Sequence, residues 1–326
     1  MTRSATAIAS PNIALIKYWG DIDSALRIPA NGSISMTLAG LQTQTRVAFD
    51  ADLEADEVII QGRPAAAPAL ARVSAHVDRV RAMAGISTRA QIASESNFPS
   101  DSGIASSAAG FAALTMASCA AAGLDLDPAA LSRLARLGSG SACRSIFGGF
   151  VEWPFTERDE ASYARQLAPP EHWAVSDLIA IVTAEAKSVG STRGHALAST
   201  SPLQSARLAD APRRLASCRE AILLRDFAAL AAVVEQDSLL MHSIMMTSTP
   251  SLMYWRPSTV DVLRQVAEWR SGGLAVCATV DAGPNVHCLC PVAAAAEIDR
   301  RLRLIPGVQA VIASSPGPAA ALLPRI

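Results

Sequence analysis

The stretch from Ser96 to Gly110, S-N-F-P-S-D-S-G-I-A-S-S-A-A-G, constrains the fold more than any other part of the chain. A strand-like run holding Ala90 and Ile92 leads into it. An Ala-rich apolar run, Phe111 to Ala122, leads out, with a composition that suits a helix. Between them lies a turn of small residues with a proline, a glycine and adjacent serines. Small side chains let backbone approach an anion, and the unpaired N–H groups of a first helical turn point at it. Hydroxyls such as Ser106 and Ser107 can add bonds to phosphate or magnesium. An ordinary serine-capped helix after a turn is the competing reading of the same residues.

Composition narrows the classes around this element. A chain of 326 residues allows one large domain or two ordinary ones. Half the residues are hydrophobic and 17% are charged, as in a well-buried globular protein. A formal net charge of -1 offers no electrostatic footing for nucleic acid or an anionic membrane. No apolar run approaches the ~20 residues of a membrane helix. The N-terminus lacks the basic-then-apolar layout of a signal peptide, so a cytoplasmic protein without nucleic-acid or membrane partners is expected. The cysteines at 119, 143, 218, 277, 288 and 290 form no C-x-x-C pair. They read as reduced, buried thiols, with Cys288 and Cys290 on one face of a strand. Beside 26 arginines the chain has only two lysines, Lys17 and Lys187, which draws attention to both.

Along the chain, residues 5–16 read as an opening strand broken at Pro11. Lys17-Tyr18-Trp19-Gly20 stands at its end, where a snorkelling surface cation would also fit. Thr43 to Phe49 and Val58 to Ile60 read as strands, and Arg72 to Met83 as a helix with Val73, Val77 and Val80 on one face. Asp127-Pro128 opens a helix through Arg136. It leads into G-S-G-S-A-C-R-S-I-F-G-G-F-V-E-W, Gly138 to Trp153. That segment lacks the third glycine of a dinucleotide fingerprint and follows a helix rather than a strand, so a dinucleotide fold is rejected. Residues 156–173 read as a loop-rich connection and Val175 to Val182 as a buried strand. The domain boundary is placed between them, giving units 1–174 and 175–326. Lys187 to Gly194 reads as a small-residue turn opening a helix. Gln204 to Ala216 and Phe227 to Met246 read as long amphipathic stretches, the second carrying His242 as a core or capping histidine. Asp281 ends a strand before Ala-Gly-Pro-Asn, where an ordinary turn former also fits. Val286 to Pro291, Ala293 to Leu304 and Val308 to Ala313 read as strand, helix and closing strand.

Four blocks together resemble one family. P-x-x-x-G-[IL]-x-S-S-A looks like the phosphate loop of the GHMP kinase superfamily. The longer N-F-P-x-x-x-G-I-A-S-S-A-A-G-F-A-A-L, A-x-x-N-I-A-L-I-K-Y-W-G, R-x-G-S-G-S-A-C-R-S-x-[FY]-G-G-[FY]-V-x-W and D-A-G-P-N resemble the mevalonate diphosphate decarboxylases, in order. The resemblance implies a two-domain α+β GHMP fold. Its N-terminal half would be like ribosomal protein S5 domain 2 and carry the ATP phosphate loop. Its C-terminal half would be a split βαβ layer carrying the catalytic aspartate. It further implies ATP and Mg2+, a phosphorylated mevalonate as small-molecule substrate, and a homodimer.

By the same resemblance the catalytic residues are Asp281, Lys17 and Arg144. Asp281 would orient or deprotonate a tertiary hydroxyl, Lys17 would neutralise the transferring and departing phosphate, and Arg144 would hold the substrate carboxylate. Tyr18, Trp19, Asp21, Arg72, Ser139, Ser141, Thr192 and Arg193 are expected to bind substrate. Asn97, Ser102, Gly103, Ala105, Ser106 and Ser107 are expected to bind nucleotide, with Ser107 as a metal ligand. One departure stands out. The family usually reads K-Y-W-G-K, whereas here Asp21 follows K-Y-W-G. An aspartate near a distal phosphate repels it, so mevalonate 5-phosphate, giving isopentenyl phosphate, is the expected substrate. The diphosphate, giving isopentenyl diphosphate, is the alternative. A GHMP kinase without decarboxylation and a non-enzymatic sensor are the rival classes.

Overall fold

The computed structural model describes residues 3–98, 106–185 and 189–324. The alternating runs of the N-terminal half become β1 (Arg3–Ala9), β2 (Asn12–Ile16), β3 (Asp21–Asp23), β4 (Ile28–Pro29), β5 (Ser33–Thr37), β6 (Thr43–Asp50), β7 (Glu57–Ile60) and β8 (Arg63–Pro64). Pro11 cannot donate to a ladder, and it separates β1 from β2, which enter different sheets. Next come α1 (Ala67–Ala84), β9 (Arg89–Ser96), α2 (Ser106–Ala122), α3 (Pro128–Gly138), β10 (Phe150–Trp153) and β11 (Arg165–Ala168). Asp127 caps α3 by accepting from the Ala130 N–H, as its sequence signal implied. The strand β11 lies in the segment expected to be loop-rich. Its Arg165 and Gln166 are exposed, so the apolar alternation that marks a strand is absent.

The second half contains β12 (Val175–Ile181), α4 (Ser191–Leu197), α5 (Gln204–Leu224), α6 (Phe227–Thr247), α7 (Pro257–Ser271), β13 (Cys277–Val280), β14 (Val286–Pro291), α8 (Val292–Leu302), β15 (Ala310–Ser314) and β16 (Ala321–Leu322). α7 had no counterpart in the sequence reading.

Three sheets organise these elements. The first runs β16-β1-β6-β9-β7-β8, antiparallel except for the parallel pair β7–β9. The second runs β11-β10-β5-β2 and the third β13-β14-β12-β15. α2 is apolar all round, as a helix at the centre of a core must be. It packs against the first sheet together with α1 and α3. The second core joins the halves. Ile13, Ile34, Met36 and Phe150 from the second sheet meet Cys218, Ile222, Leu230 and Val234 of α5 and α6. Val175, Ile179 and Leu289 of the third sheet close it from the other side. β12 begins a new sheet, yet α5 and α6 share a core with strands of both halves. The chain's end crosses back too, with Leu322 of β16 opposite Ala7 of β1. All six cysteines are free and buried, and Cys288 and Cys290 enter the same core, consistent with one face of β14. Among the described residues, no helix is long and apolar enough to cross a membrane.

Candidate active site

A cavity of about 200 Å³ opens where the halves meet. Its walls come from the end of β2 (Ala14 and Lys17 to Trp19), Arg27, Arg72 of α1, and Ser106 and Ser107 at the start of α2. Ser139 to Ser141, Arg144, Gly190 to Thr192, His195, Met241, Asp281 and Ala282 complete them. Lys17 and Asp281 lie 264 positions apart in the sequence, and the shared core brings them together.

Lys17 is the most constrained residue of the site. Its backbone N–H donates to Asp237 Oδ2 at 2.6 Å, and its carbonyl accepts from Arg207 Nη2 at 2.9 Å and Asn31 Nδ2 at 3.0 Å. Asp237 is in turn held by Arg214 Nε at 2.7 Å. Arg207, Arg214 and Asp237 are all buried on α5 and α6. The helices of the second half therefore fix the strand end that carries Lys17. With its backbone fixed, Lys17 Nζ donates to Ala14 O at 2.8 Å and to Asp281 Oδ1 at 2.5 Å.

Asp281 is held just as firmly. Residue Val280 before it is gripped by α6 on both sides: its N–H donates to Ser238 Oγ at 3.0 Å, and its carbonyl accepts from His242 Nε2 at 3.1 Å. Burial pushes the His242 imidazole down to about 4, so it is the neutral ring that makes this bond. The core or capping role expected of His242 is met. Asn285 locks the far side of the D-A-G-P-N turn, its Oδ1 accepting from the N–H groups of Val182 at 2.8 Å and Thr183 at 3.2 Å. Burial pushes the Asp281 carboxyl up, but Lys17, His287 and Arg144 outweigh it and hold it below the usual carboxylate range. Asp281 is thus an ionised, weakly basic carboxylate.

Arg144 reaches the same cavity from the short 3-10 turn after α3. Its Nε and Nη2 donate to Asn12 Oδ1 at 3.3 and 3.2 Å, and its Nη1 donates to Ser33 Oγ at 2.8 Å. A guanidinium has five N–H groups. Three are engaged, which leaves one on each Nη, the pair that forms a two-bond fork to a carboxylate. Tyr18 packs edge-on against Trp153 and tilted against His195, with centroids 4.9 and 4.1 Å apart. A Cβ on Gly140 would lie 2.4 Å from the Tyr18 ring, and one on Gly194 2.4 Å from Trp19. Glycine is required at both positions by these close approaches.

The expected site residues divide into those the fold gathers and those it does not. Lys17, Tyr18, Trp19, Arg72, Ser106, Ser107, Ser139, Ser141, Arg144, Thr192 and Asp281 all line the cavity. Ser107 Oγ lies 3.2 Å from Ser139 Oγ, so the α2 start and the post-α3 turn present hydroxyls side by side. Asp21 does not line it. Its carboxylate accepts from the Tyr18 hydroxyl instead, within the β3–β4 hairpin. Burial pushes that carboxyl up, against the Tyr18 bond and the nearby Arg27. Arg193 is exposed and also absent from the lining. Ser191, Thr192 and His195 share the inner face of α4, and the helical turn carries Arg193 away from it. Asn97 is exposed and serves a turn, accepting from the Gln42 N–H at 2.8 Å and donating to Gly40 O at 2.9 Å. Ser102, Gly103, Ala105 and Lys187 lie outside the described residues.

Of the lining residues outside the expected set, two carry titratable side chains, His195 and Arg27. His195 Nδ1 accepts from the Gly20 N–H at 3.0 Å, and its ring stacks on Tyr18 and Trp19. Arg27 sits in the left-handed region, at φ 51°, in the β3–β4 hairpin. Neither lies in a motif, and only the pairing of distant elements reveals them.

A second cavity of about 240 Å³ adjoins the first, sharing Arg72, Ser106 and Ser107. Its remaining walls are mostly apolar or hydroxyl-bearing, among them Val58, Ile60, Val73, Ile92, Phe111 and Leu114 with Thr43, Thr45, Ser94 and Ser96. The start of α2 therefore stands between an apolar chamber and a cationic one.

Comparison with known proteins agrees with this geometry. Residues 9–164 match the family model of the diphosphomevalonate decarboxylase-like N-terminal domain, and residues 177–310 that of the mevalonate 5-diphosphate decarboxylase C-terminal domain. Diphosphomevalonate decarboxylase mvd1 of Aspergillus fumigatus is 40% identical over 303 residues, covering 86% of this chain and 75% of its own. Human diphosphomevalonate decarboxylase is 36% identical over 305 residues, with the same coverage of 86% and 75%. Among solved structures, mevalonate diphosphate decarboxylase from Staphylococcus aureus superposes with a TM-score of 0.94 at 38% identity, over 99% of both chains. "MDDEF in complex with MVAPP, AMPPCP and Magnesium" gives 0.94 at 34% identity, over 100% of both. With both halves matched and the fold shared end to end, the chain belongs to the diphosphomevalonate decarboxylase family of ATP-dependent decarboxylases, within the GHMP kinase superfamily.

Proposed function

We propose that the protein converts mevalonate 5-diphosphate to isopentenyl diphosphate, with ATP consumed and ADP, phosphate and carbon dioxide released. The observation that carries this reading is the Lys17–Asp281 pair, 2.5 Å apart, on the same cavity as the open fork of Arg144. Phosphoryl transfer to a tertiary hydroxyl needs that hydroxyl oriented and the moving charge neutralised. Asp281 accepts the hydroxyl's hydrogen bond, and Lys17 stands next to the phosphate as it arrives and leaves. Because Lys17 holds Asp281 well ionised but weakly basic, positioning and charge stabilisation are its main contributions. Arg144 takes the substrate carboxylate through its two remaining N–H groups. When the 3-phosphate departs with the C–O electrons, the C–C electrons of the carboxylate form the alkene and carbon dioxide leaves. Lys17, Arg144 and Asp281 together on one cavity support decarboxylation over phosphorylation alone.

The apolar second cavity suits the nucleoside of ATP, with its phosphates passing Ser106 and Ser107 into the cationic chamber. Among the described residues no cluster of three His, Cys, Asp or Glu side chains is placed to hold a metal. A magnesium ion is instead suited to nucleotide phosphates with a hydroxyl such as Ser107, where it would neutralise phosphate charge.

The diphosphate takes precedence over the monophosphate expected from Asp21. The named relatives are diphosphomevalonate or mevalonate diphosphate decarboxylases, and the Asp21 carboxylate is directed to Tyr18 rather than to the cavity. The monophosphate is the second reading, carried by the negative charge of Asp21 close to the Tyr18 end of the site. Comparing kcat/KM for the two substrates tests this: a higher value for the diphosphate supports the first reading, and a higher value for the monophosphate replaces it.

A further inference from the structure

Arg27 and Arg72 come from separate elements but are anchored on consecutive carbonyls. Arg27 Nε donates to Leu137 O at 3.2 Å, and Arg72 Nη2 donates to Gly138 O at 3.2 Å. Both carbonyls belong to the last turn of α3, where the helix carries its partial negative charge. Both side chains line the catalytic cavity, beside Ser139 and Ser141. Arg72 is further steadied over the Phe111 ring, 5.0 Å from its centroid. Among the described residues Arg27 forms no ion pair, and neither of its Nη groups has a protein partner. Asp21, an acidic group on its hairpin, is engaged by the Tyr18 hydroxyl.

We infer that Arg27, acting with Arg72 on the α3 carbonyls, is the specificity-determining cation for the terminal phosphate of a diphosphorylated substrate. This rests on the substrate class proposed above. The hairpin supplies the placement: Arg27, in the left-handed region just before β4, lines the cavity, while Asp21 on the paired strand is engaged by Tyr18. A diphosphate bridges the two arginines with its outer oxygens, and a monophosphate has no outer group to offer Arg27.

Wild type, Arg27→Gln and Arg27→Lys, each checked by thermal melt, are compared on mevalonate 5-diphosphate and mevalonate 5-phosphate. Arg27→Gln lowers kcat/KM for the diphosphate by about 10- to 100-fold, the usual loss of a hydrogen bond to a charged group, mainly through KM. The monophosphate value changes by less than about threefold, and Arg27→Lys recovers part of the loss because it restores the charge without the fork. Equal losses on both substrates, or none on either, overturn the assignment. If the wild type turns over neither compound, the proposed substrate class fails. Inorganic pyrophosphate titrated calorimetrically into wild type and Arg27→Gln then reads Arg27 separately: weaker binding to the variant upholds the pairing of Arg27 with a diphosphate, and equal binding overturns it.

Discussion

The two ends of the catalytic cavity treat charge differently. At the inner end each charge is held by buried side chains, two of them as ion pairs. Lys17 meets Asp281, Arg214 meets Asp237, and Arg144 is held by Asn12 and Ser33. At the outer end Arg27 and Arg72 rest on backbone carbonyls. Matched, buried charges cost little reorganisation when the substrate arrives, as catalysis by preorganised electrostatics requires. Arg27, seated on a carbonyl through Nε alone, keeps its Nη groups for an anion, as binding requires. Under the proposed function, the contrast separates chemistry at one end from recognition at the other.

Breaking the inner end should give the largest effect. Asp281→Asn keeps the shape but removes the charge that faces Lys17 and the hydroxyl. Turnover is expected to fall about 10²- to 10⁴-fold, the typical cost of losing base or positioning help, with ATP affinity little changed. Steady-state kinetics and a nucleotide titration check both parts, and a variant keeping most of the wild-type rate removes Asp281 from the mechanism.

Next is Arg144→Lys. The ammonium keeps the charge yet cannot hold Asn12, Ser33 and a carboxylate at once. A loss of about 10- to 100-fold in kcat/KM is expected. If ADP formation survives while carbon dioxide release falls, the carboxylate contact is sharpened further.

Acid should weaken the fold through two buried histidines, His242 behind Val280 at the inner end and His76 of α1, which packs on the Phe111 ring near Arg72. His242 is held down to about 4 and His76 to about 3, in both cases chiefly by burial. Their unfolded value is about 6.5, so below it the unfolded chain binds protons the native chain refuses. Stability is therefore fully present above about pH 6.5 and falls toward pH 4, by up to about 1.4 kcal/mol per pH unit for each histidine. A thermal melt series from pH 7.5 to 5 should show a falling Tm, with a shallower slope in His242→Gln. A flat profile would mean that these rings accept protons in the native fold.

The smallest effect is expected at Asp21→Asn, because that side chain meets Tyr18 and not the cavity. Burial and Asp21 push the Tyr18 hydroxyl well above its usual value, so it stays a neutral donor and can bond an amide oxygen instead. A change below about threefold on either substrate fits one retained neutral hydrogen bond. A strong shift toward the diphosphate would show that the Asp21 charge does select against it.

The inner end was far more legible in the sequence than the outer. Lys17, Arg144 and Asp281 sit in long motifs because each needs its own local frame: a strand end, a tight turn against Tyr18, a locked D-A-G-P-N turn. What holds those frames was not legible. Arg207, Arg214 and Asp237 read as ordinary charges on amphipathic helices, yet they are buried because α5 and α6 pair them beneath β2. Arg27 was missed for the opposite reason, since a single arginine in a polar hairpin carries no pattern until α3 comes to lie beside it. Arg193 and Asn97 lie outside the cavity lining, and motif position does not say which face of a helix turns inward, or whether an amide also serves a turn.

The most direct test of the whole account is a coupled measurement on wild type with ATP and mevalonate 5-diphosphate, following ADP and carbon dioxide in the same reaction. One carbon dioxide for each ADP, both abolished together in Asp281→Asn, is the predicted result. ADP accumulating without carbon dioxide would contradict it, and would leave the protein a kinase built on a decarboxylase frame.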